Sequence, residues 1–105
     1  MKSIMQNDMG QCYLCGRNGA ADPLEVHHIF GGPNRRLSDR DGLVVRLCGD
    51  MCHRNGKQAV HRCKATADRL KAEGQRAWMD KTGGSVEAFQ ARYGKNYLED
   101  KSEDQ

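Results

Sequence analysis

The chain carries two sets of side chains that could do chemistry, one of sulfur and one of imidazole. Four of its five cysteines fall into two close pairs, Cys12-x2-Cys15 and Cys48-x3-Cys52. Two residues between thiolates let a tight turn aim both sulfurs at one ion, and Gly16 permits the positive φ that such turns often need. The second pair is one residue wider, still within the usual spacing of zinc ligands. A redox reading of Cys12-x2-Cys15 requires a thioredoxin-like βαβ context, and none follows. Together Cys12, Cys15, Cys48 and Cys52 would complete a tetrahedral four-thiolate zinc site, whose binding energy becomes folding energy. Cys63 falls on an apolar helical stripe and reads as a small core residue, not a fifth ligand.

The imidazoles are His27-His28, His53 directly after the last of those cysteines, and His61. Hydrolysing a phosphodiester requires a base for water, charge neutralisation at the phosphate, and help for the leaving oxygen. An unliganded histidine can be the base, and a divalent metal held by other side chains can supply the rest. In a regular strand His27 and His28 point to opposite faces. For both to serve one phosphate, the pleat must be irregular or the pair must lie at the strand end, and Gly31-Gly32-Pro33 places an end nearby. The bland alternative is one core histidine and one exposed one. On an unbroken helix His53 and His61 would stand about 12 Å apart and could not share an ion. Asn55-Gly56 is where a break would bring them together. Imidazole ligands suit zinc, nickel, cobalt or manganese better than magnesium.

These residues must be positioned by few elements. Residues 1–9 are polar and without period, and read as a flexible N-terminus with Met5 and Met9 as tail residues. Leu24 to Phe30 reads as a strand by its β-branched and apolar content, and Leu43 to Leu47 as a second strand able to pair with it. Gly31 to Gly42 reads as a polar loop of twelve residues, with Arg35, Arg36 and Arg40 available for phosphate. From about Lys57 to Lys81, Val60, Cys63, Ala67, Leu70, Gly74 and Ala77/Trp78 recur as one helix face would. Thr82-Gly83-Gly84 breaks that helix. Ser85 can cap a short final one with Val86, Phe89 and Tyr93 on one face, and Gly94 ends it. Tyr97 and Leu98 are expected to fold back.

At 105 residues, with 37% hydrophobic and 6% aromatic residues, the chain is one small domain with a thin core, of the kind that leans on a structural metal. The N-terminal stretch has no apolar h-region, and no run approaches the roughly 18 apolar residues of a membrane span. We therefore expect no membrane and a reducing, cytoplasmic setting, where cysteines read as ligands before disulfides. The net charge is +3, and residues 99–105 form an acidic tail, so the body is more basic than the total. A basic body fits a polyanion partner, though a solvated surface would look the same.

The set Cys12-x2-Cys15, Val26-His27-His28-Ile29, Leu43–Cys48 and Cys52-His53 resembles the HNH endonuclease family. More narrowly it looks like small phage-encoded HNH proteins, through His28-Ile-Phe-Gly-Gly-Pro-Asn-Arg-Arg, Val60-His61 and Tyr93-Gly-Lys-Asn-Tyr-Leu98. The resemblance covers roughly residues 10–98. It implies an α+β fold, a zinc-stapled ββα-metal (HNH/His-Me finger) core at about 24–65 with C-terminal helices at about 57–98. It implies a metal-dependent endonuclease that nicks or cleaves DNA with little sequence specificity. His28 matches the general base. His27 stands where many members have a metal-binding aspartate, His53 matches a metal ligand, and His61 would add another. The second ion would be Mg2+, Mn2+, Ni2+, Co2+ or Zn2+. Arg35, Arg36, Arg40, Arg46, Arg54 and Lys57 are the candidate DNA contacts, and phage DNA-processing or packaging proteins are partners by analogy alone. The family's middle asparagine is replaced by Asp41-Gly42, with Asn34 as the nearest substitute. The competing reading is a non-catalytic zinc-stapled DNA-binding or adaptor module.

Overall fold

Strand β1 (Leu24–His28) pairs antiparallel with β2 (Val44–Cys48), His28 opposite Val44 and Leu24 opposite Cys48, in a computed structural model that describes residues 2–98. The acidic tail at 99–105 lies outside the described residues. The period of two sends Leu24, Val26 and His28 to one face and Glu25 and His27 to the other. β1 ends at the second histidine, two residues short of the expected Phe30, so the pair sits at a strand end. Among the described residues six elements follow β1 and make a small α+β domain, with three α-helices beside the two-stranded sheet. No described helix is long and apolar enough to cross a membrane.

The segment Gly31–Gly42 is not the structureless loop its polarity implies. It holds a 3-10 turn at Gly32–Asn34, started by Pro33, and helix α1 at Arg35–Arg40. Proline is pre-organised for a first helical turn, and arginine, leucine and serine do not oppose a helix. Ser38 is fully buried at its centre. Its Oγ donates to the Leu43 carbonyl at 2.6 Å and accepts the Phe30 amide at 3.2 Å. One hydroxyl thus ties the end of β1, α1 and the start of β2 together.

After β2 the chain makes a π-helical turn at Gly49–Arg54, then irregular turns. Helix α2 begins at Lys64, not near Lys57, and runs to Thr82; α3 spans Val86–Tyr93. Val60 and Cys63 therefore precede the helix whose stripe they extend in sequence. Cys63 is half-buried at the α2 N-terminus instead of sealed in the core. Ser85 does cap α3, its Oγ accepting from the Ala88 amide at 3.0 Å, and Gly94 closes it with φ 89°.

Phe30, two residues past His28, is the hub of the core. Its ring lies 4.7 Å from Tyr93, 5.1 Å from Tyr97 and 5.6 Å from Phe89. Buried aromatics of this kind contribute packing beyond their area, and here they clamp the strand end that carries the histidines. Tyr97 is held in turn by Gln75, fully buried on α2, whose Oε1 accepts the Tyr97 amide at 2.7 Å while its Nε2 donates to Asn96 at 2.9 Å. The N-terminal segment is also docked: the Ile4 amide donates to Gly42 O at 2.9 Å, and Ile4 and Met5 pack on the core. Two apolar residues anchored by neighbouring backbone are too few to show as a period.

Candidate functional site

Cys12, Cys15, Cys48 and Cys52 come together as expected. Gly16 takes φ 82°, its amide donates to Cys12 O at 2.9 Å, and the Cys15 amide approaches Cys12 Sγ at 3.4 Å, so the first pair forms a closed knuckle. The four sulfurs lie within 4.8 Å of one another, and Cys15 Sγ is 3.5 Å from Cys48 Sγ. Tetrahedral zinc with bonds of about 2.3 Å separates its sulfurs by roughly 3.8 Å, so the cluster is compatible with a structural zinc ion. All four are free thiols. Burial pushes Cys48 up to about 12 and raises Cys52, whereas at Cys12 the amides of Cys15, Cys48 and Leu14 outweigh burial and bring the thiol down to about 7.

The imidazoles of His27, His53 and His61 form a second cluster, each offering a ring nitrogen within 4.8 Å of the others. His53 Nε2 and His61 Nε2 stand 3.1 Å apart, and the His27 ring centroid is 5.2 Å from that of His53 and 5.6 Å from that of His61. Two nitrogens on one tetrahedral ion at about 2.05 Å would be roughly 3.3 Å apart, so the donor set fits a single divalent cation.

The break near Asn55-Gly56 is what makes this possible. The chain folds back so that the Val60 amide reaches Cys52 O at 2.9 Å and the His61 amide reaches His53 O at 3.0 Å. Gly56 passes so close to the Met51 carbonyl that a β-carbon would overlap it. The turn itself is seated by Asp22, whose carboxylate accepts the Asp50 and Met51 amides, each at 2.9 Å; those bonds lower its acidity range.

Glu25 completes the cluster from behind. His53 Nδ1 is 2.7 Å from Glu25 Oε1, and Arg54 Nη2 is 2.9 Å from Oε2. A carboxylate can only accept, so the proton sits on His53 Nδ1 and leaves Nε2 free toward the other imidazoles. Gly49 leaves the room: a β-carbon there would meet the Glu25 carboxylate at 2.9 Å. Burial, then the imidazoles of His53, His61 and His28, hold His27 down to about 3, and burial with His53 lowers His61. Both shifts favour the neutral ring, the form that binds metal.

His28 stands apart from this triad. Its Nε2 lies 3.3 Å from Asp39 Oδ1 on α1, and a cleft of about 720 Å³ opens beside it, lined by His28, Arg35, Arg36, Asp39 and Arg40. Neither Asp41 nor Asn34 turns toward His28. Asp41 accepts from Arg92 at 2.7 and 2.8 Å and from Tyr93 Oη at 2.6 Å, and Asn34 Nδ2 donates to Tyr93 O at 3.0 Å. Both anchor α3. A larger cleft of about 950 Å³, between the N-terminal segment and the α2 residues Ala77, Asp80 and Lys81, contains neither imidazole nor thiol and mixes both signs of charge.

Of the candidate phosphate contacts, Arg35, Arg36 and Arg40 gather at the His28 cleft. Arg46 does not join them: it is half-buried on β2, with Nε enclosed and unbonded. Arg54 is engaged by Glu25, and Lys57 is exposed in the fold-back. Sequence reasoning missed Glu25, Asp39 and Asp22, since a carboxylate partner across a strand or turn leaves no spacing signal. No protein-family model, curated protein or solved structure matches the chain.

Proposed function

We propose that this chain is a metal-dependent DNA endonuclease of the HNH type, its β1, β2 and π-turn-to-α2 region serving as a ββα-metal core. The observation that carries the reading is the convergence of three imidazoles with a fourth, unliganded histidine on the adjoining residue. In this reading the four thiolates hold zinc and staple the knuckle to the end of β2. His27, His53 and His61 would hold a divalent cation, which as a Lewis acid supplies charge neutralisation at the phosphate and help for the leaving oxygen.

The remaining work falls to the chain's own residues. His28 takes the proton from the attacking water. Asp39 orients its ring and, by accepting from Nε2–H, leaves Nδ1 as the basic nitrogen. Arg35, Arg36 and Arg40 draw the backbone phosphates into the cleft, so affinity falls with salt. Asp39 takes over the orienting task for which the signature asparagine is missing. A protein of this size has room for few base contacts, which fits low sequence specificity.

The test is nicking of supercoiled plasmid by wild type and His28→Ala across Mg2+, Mn2+, Co2+, Ni2+ and Zn2+, with a chelator control. Loss of a positioned base lowers the rate by about 10²- to 10⁴-fold, with fold and metal content retained. Equal activity in the variant, or none in wild type with any ion, refutes the reading and leaves the non-catalytic zinc-stapled module.

A further inference from the structure

We propose that Lys71 is the protein cation of an anion site beside the imidazole cluster, placed to grip a non-bridging oxygen of a phosphate. The identification of that phosphate as a diester in DNA rests on the nuclease reading; the anion site itself does not.

The geometry is that of a pocket of about 320 Å³ between the end of β1 and α2, touched by His27, His28, Gly31, Val60, His61 and Lys71. No carboxylate lines it. Lys71 lines it from α2, one turn from Ala67 and from Gly74, where the helix packs against Ile29 and Phe30 just past the strand. A β-carbon on Gly74 would sit 3.0 Å from Ile29 Cγ2 and 3.4 Å from Phe30 Cε2. A half-buried lysine can lay its stem along such a face and keep its ammonium accessible to an anion.

Its neighbours on the helix show what satisfied charges look like here. Lys64 pairs with Asp68 at 2.7 Å and Arg69 with Glu73 at 3.0 Å, each one turn along the exposed side. Among the described residues, Lys71 has no carboxylate at ion-pair distance, although Asp68 one turn back feels its charge; its Nζ lies 5.6 Å from the centre of the Tyr97 ring. Facing it across the pocket are His27 and His61. With a divalent cation on those rings, the pocket would hold positive charge on two walls and negative charge on none. Such an arrangement is favourable when an anion lies between them. A tetrahedral phosphate suits it, with one non-bridging oxygen toward the imidazole wall and another toward the ammonium, while His28 borders the same space.

The experiment uses the full chain with zinc at the thiolates and Co2+ at the imidazoles, and inorganic phosphate as probe. Phosphate binding is read from the visible Co2+ spectrum in wild type, Lys71→Met, Lys71→Gln and Lys71→Arg. Met keeps the stem and removes the charge, Gln keeps polarity, and Arg keeps the charge. We expect Met and Gln to weaken phosphate about tenfold or more, as loss of a charged hydrogen bond does, Arg to bind nearly as wild type, and Co2+ affinity to be unchanged in all. Phosphate binding by Met and Gln as tight as by wild type overturns the proposal, as does a wild type that binds no phosphate. Plasmid nicking by the same proteins separates the two readings. A wild type that binds phosphate through Lys71 yet cuts nothing refutes the nuclease, not the anion site. Equal nicking and equal phosphate binding by wild type and Lys71→Met refute Lys71 alone.

Discussion

Glu25→Gln exchanges one oxygen for an NH2 group and removes the charge that faces His53. In the wild type that carboxylate receives Nδ1–H at 2.7 Å and is braced by Arg54 at 2.9 Å, with its side chain 34% exposed. The glutamine oxygen can still accept from His53, but its NH2 group then confronts Arg54, so the brace is lost and His53 becomes a weaker base. Removal of an outer carboxylate from a metal-binding histidine costs about 10- to 100-fold in affinity. A carboxylate one-third exposed is partly screened, so the lower part of that range applies, about 10- to 30-fold or ~1.4–2 kcal/mol. The assay is competition with a chromophoric chelator for Co2+ or Zn2+ at the imidazole site, with the thiolate site already filled. Arg54→Met is run in parallel and should cost less than about threefold, since the Glu25–His53 bond survives. An imidazole-site affinity in Glu25→Gln within twofold of wild type, with the fold intact, would show that the carboxylate does not position His53.

Gly56→Ala forces a β-carbon onto the Met51 carbonyl. Overpacking of this kind costs about 1–3 kcal/mol, and calorimetry should show that loss together with weakened Co2+ binding at the imidazoles. Asp41→Asn keeps one accepting oxygen but removes the charge facing Arg92 and sets an NH2 group against it or Tyr93; as Asp41 is only 13% exposed, we expect a loss of about 2 kcal/mol at pH 7, as for a hydrogen bond to a charged group. Burial opposes ionisation at Asp41, but Arg92 and Tyr93 outweigh it and hold the carboxyl below its ordinary range. Its stabilisation is therefore complete above the unfolded value near 4 and is lost as pH falls through the folded one. With zinc in place, the gap between the denaturant midpoints of wild type and Asp41→Asn should therefore stay constant from about pH 8 to about pH 6, well above the unfolded value; a gap that closes within that range would contradict this. Removal of metal from the thiolates should abolish cooperative unfolding by circular dichroism, because so thin a core depends on that energy.

The donor residues were the legible part. The Cys12, Cys15, Cys48 and Cys52 spacing, a strand end close to the histidine pair, the break at Asn55-Gly56 and the Ser85 cap all follow from local chemistry, whereas Ile29 and Phe30 are apolar enough to extend the strand reading two residues too far. Helix α1 did not, because six residues with Leu37 as the sole apolar contact carry no period. The start of α2 was misplaced because Val60 and Cys63 continue its apolar spacing through a non-helical turn. Glu25, Asp22 and Asp39 act on residues 11 to 29 positions away, a distance at which no motif announces a hydrogen bond. Lys71 leaves no spacing signal either, since it is one of several charged residues along α2.

Cys52 and His53 are consecutive residues, yet one points its sulfur into the thiolate group and the other its ring into the imidazole group. A single peptide unit is thus common property of both sites, and the π-helical turn works as an indexing tooth. Slip the chain by one residue there and either His53 is presented to the sulfurs with Arg54 at the imidazoles, or Cys52 is presented to the imidazoles with Met51 at the sulfurs. Insertions or deletions between Cys48 and His53 must spoil both constellations at a stroke, whereas length changes between Asn55 and Ala59 reach only His61.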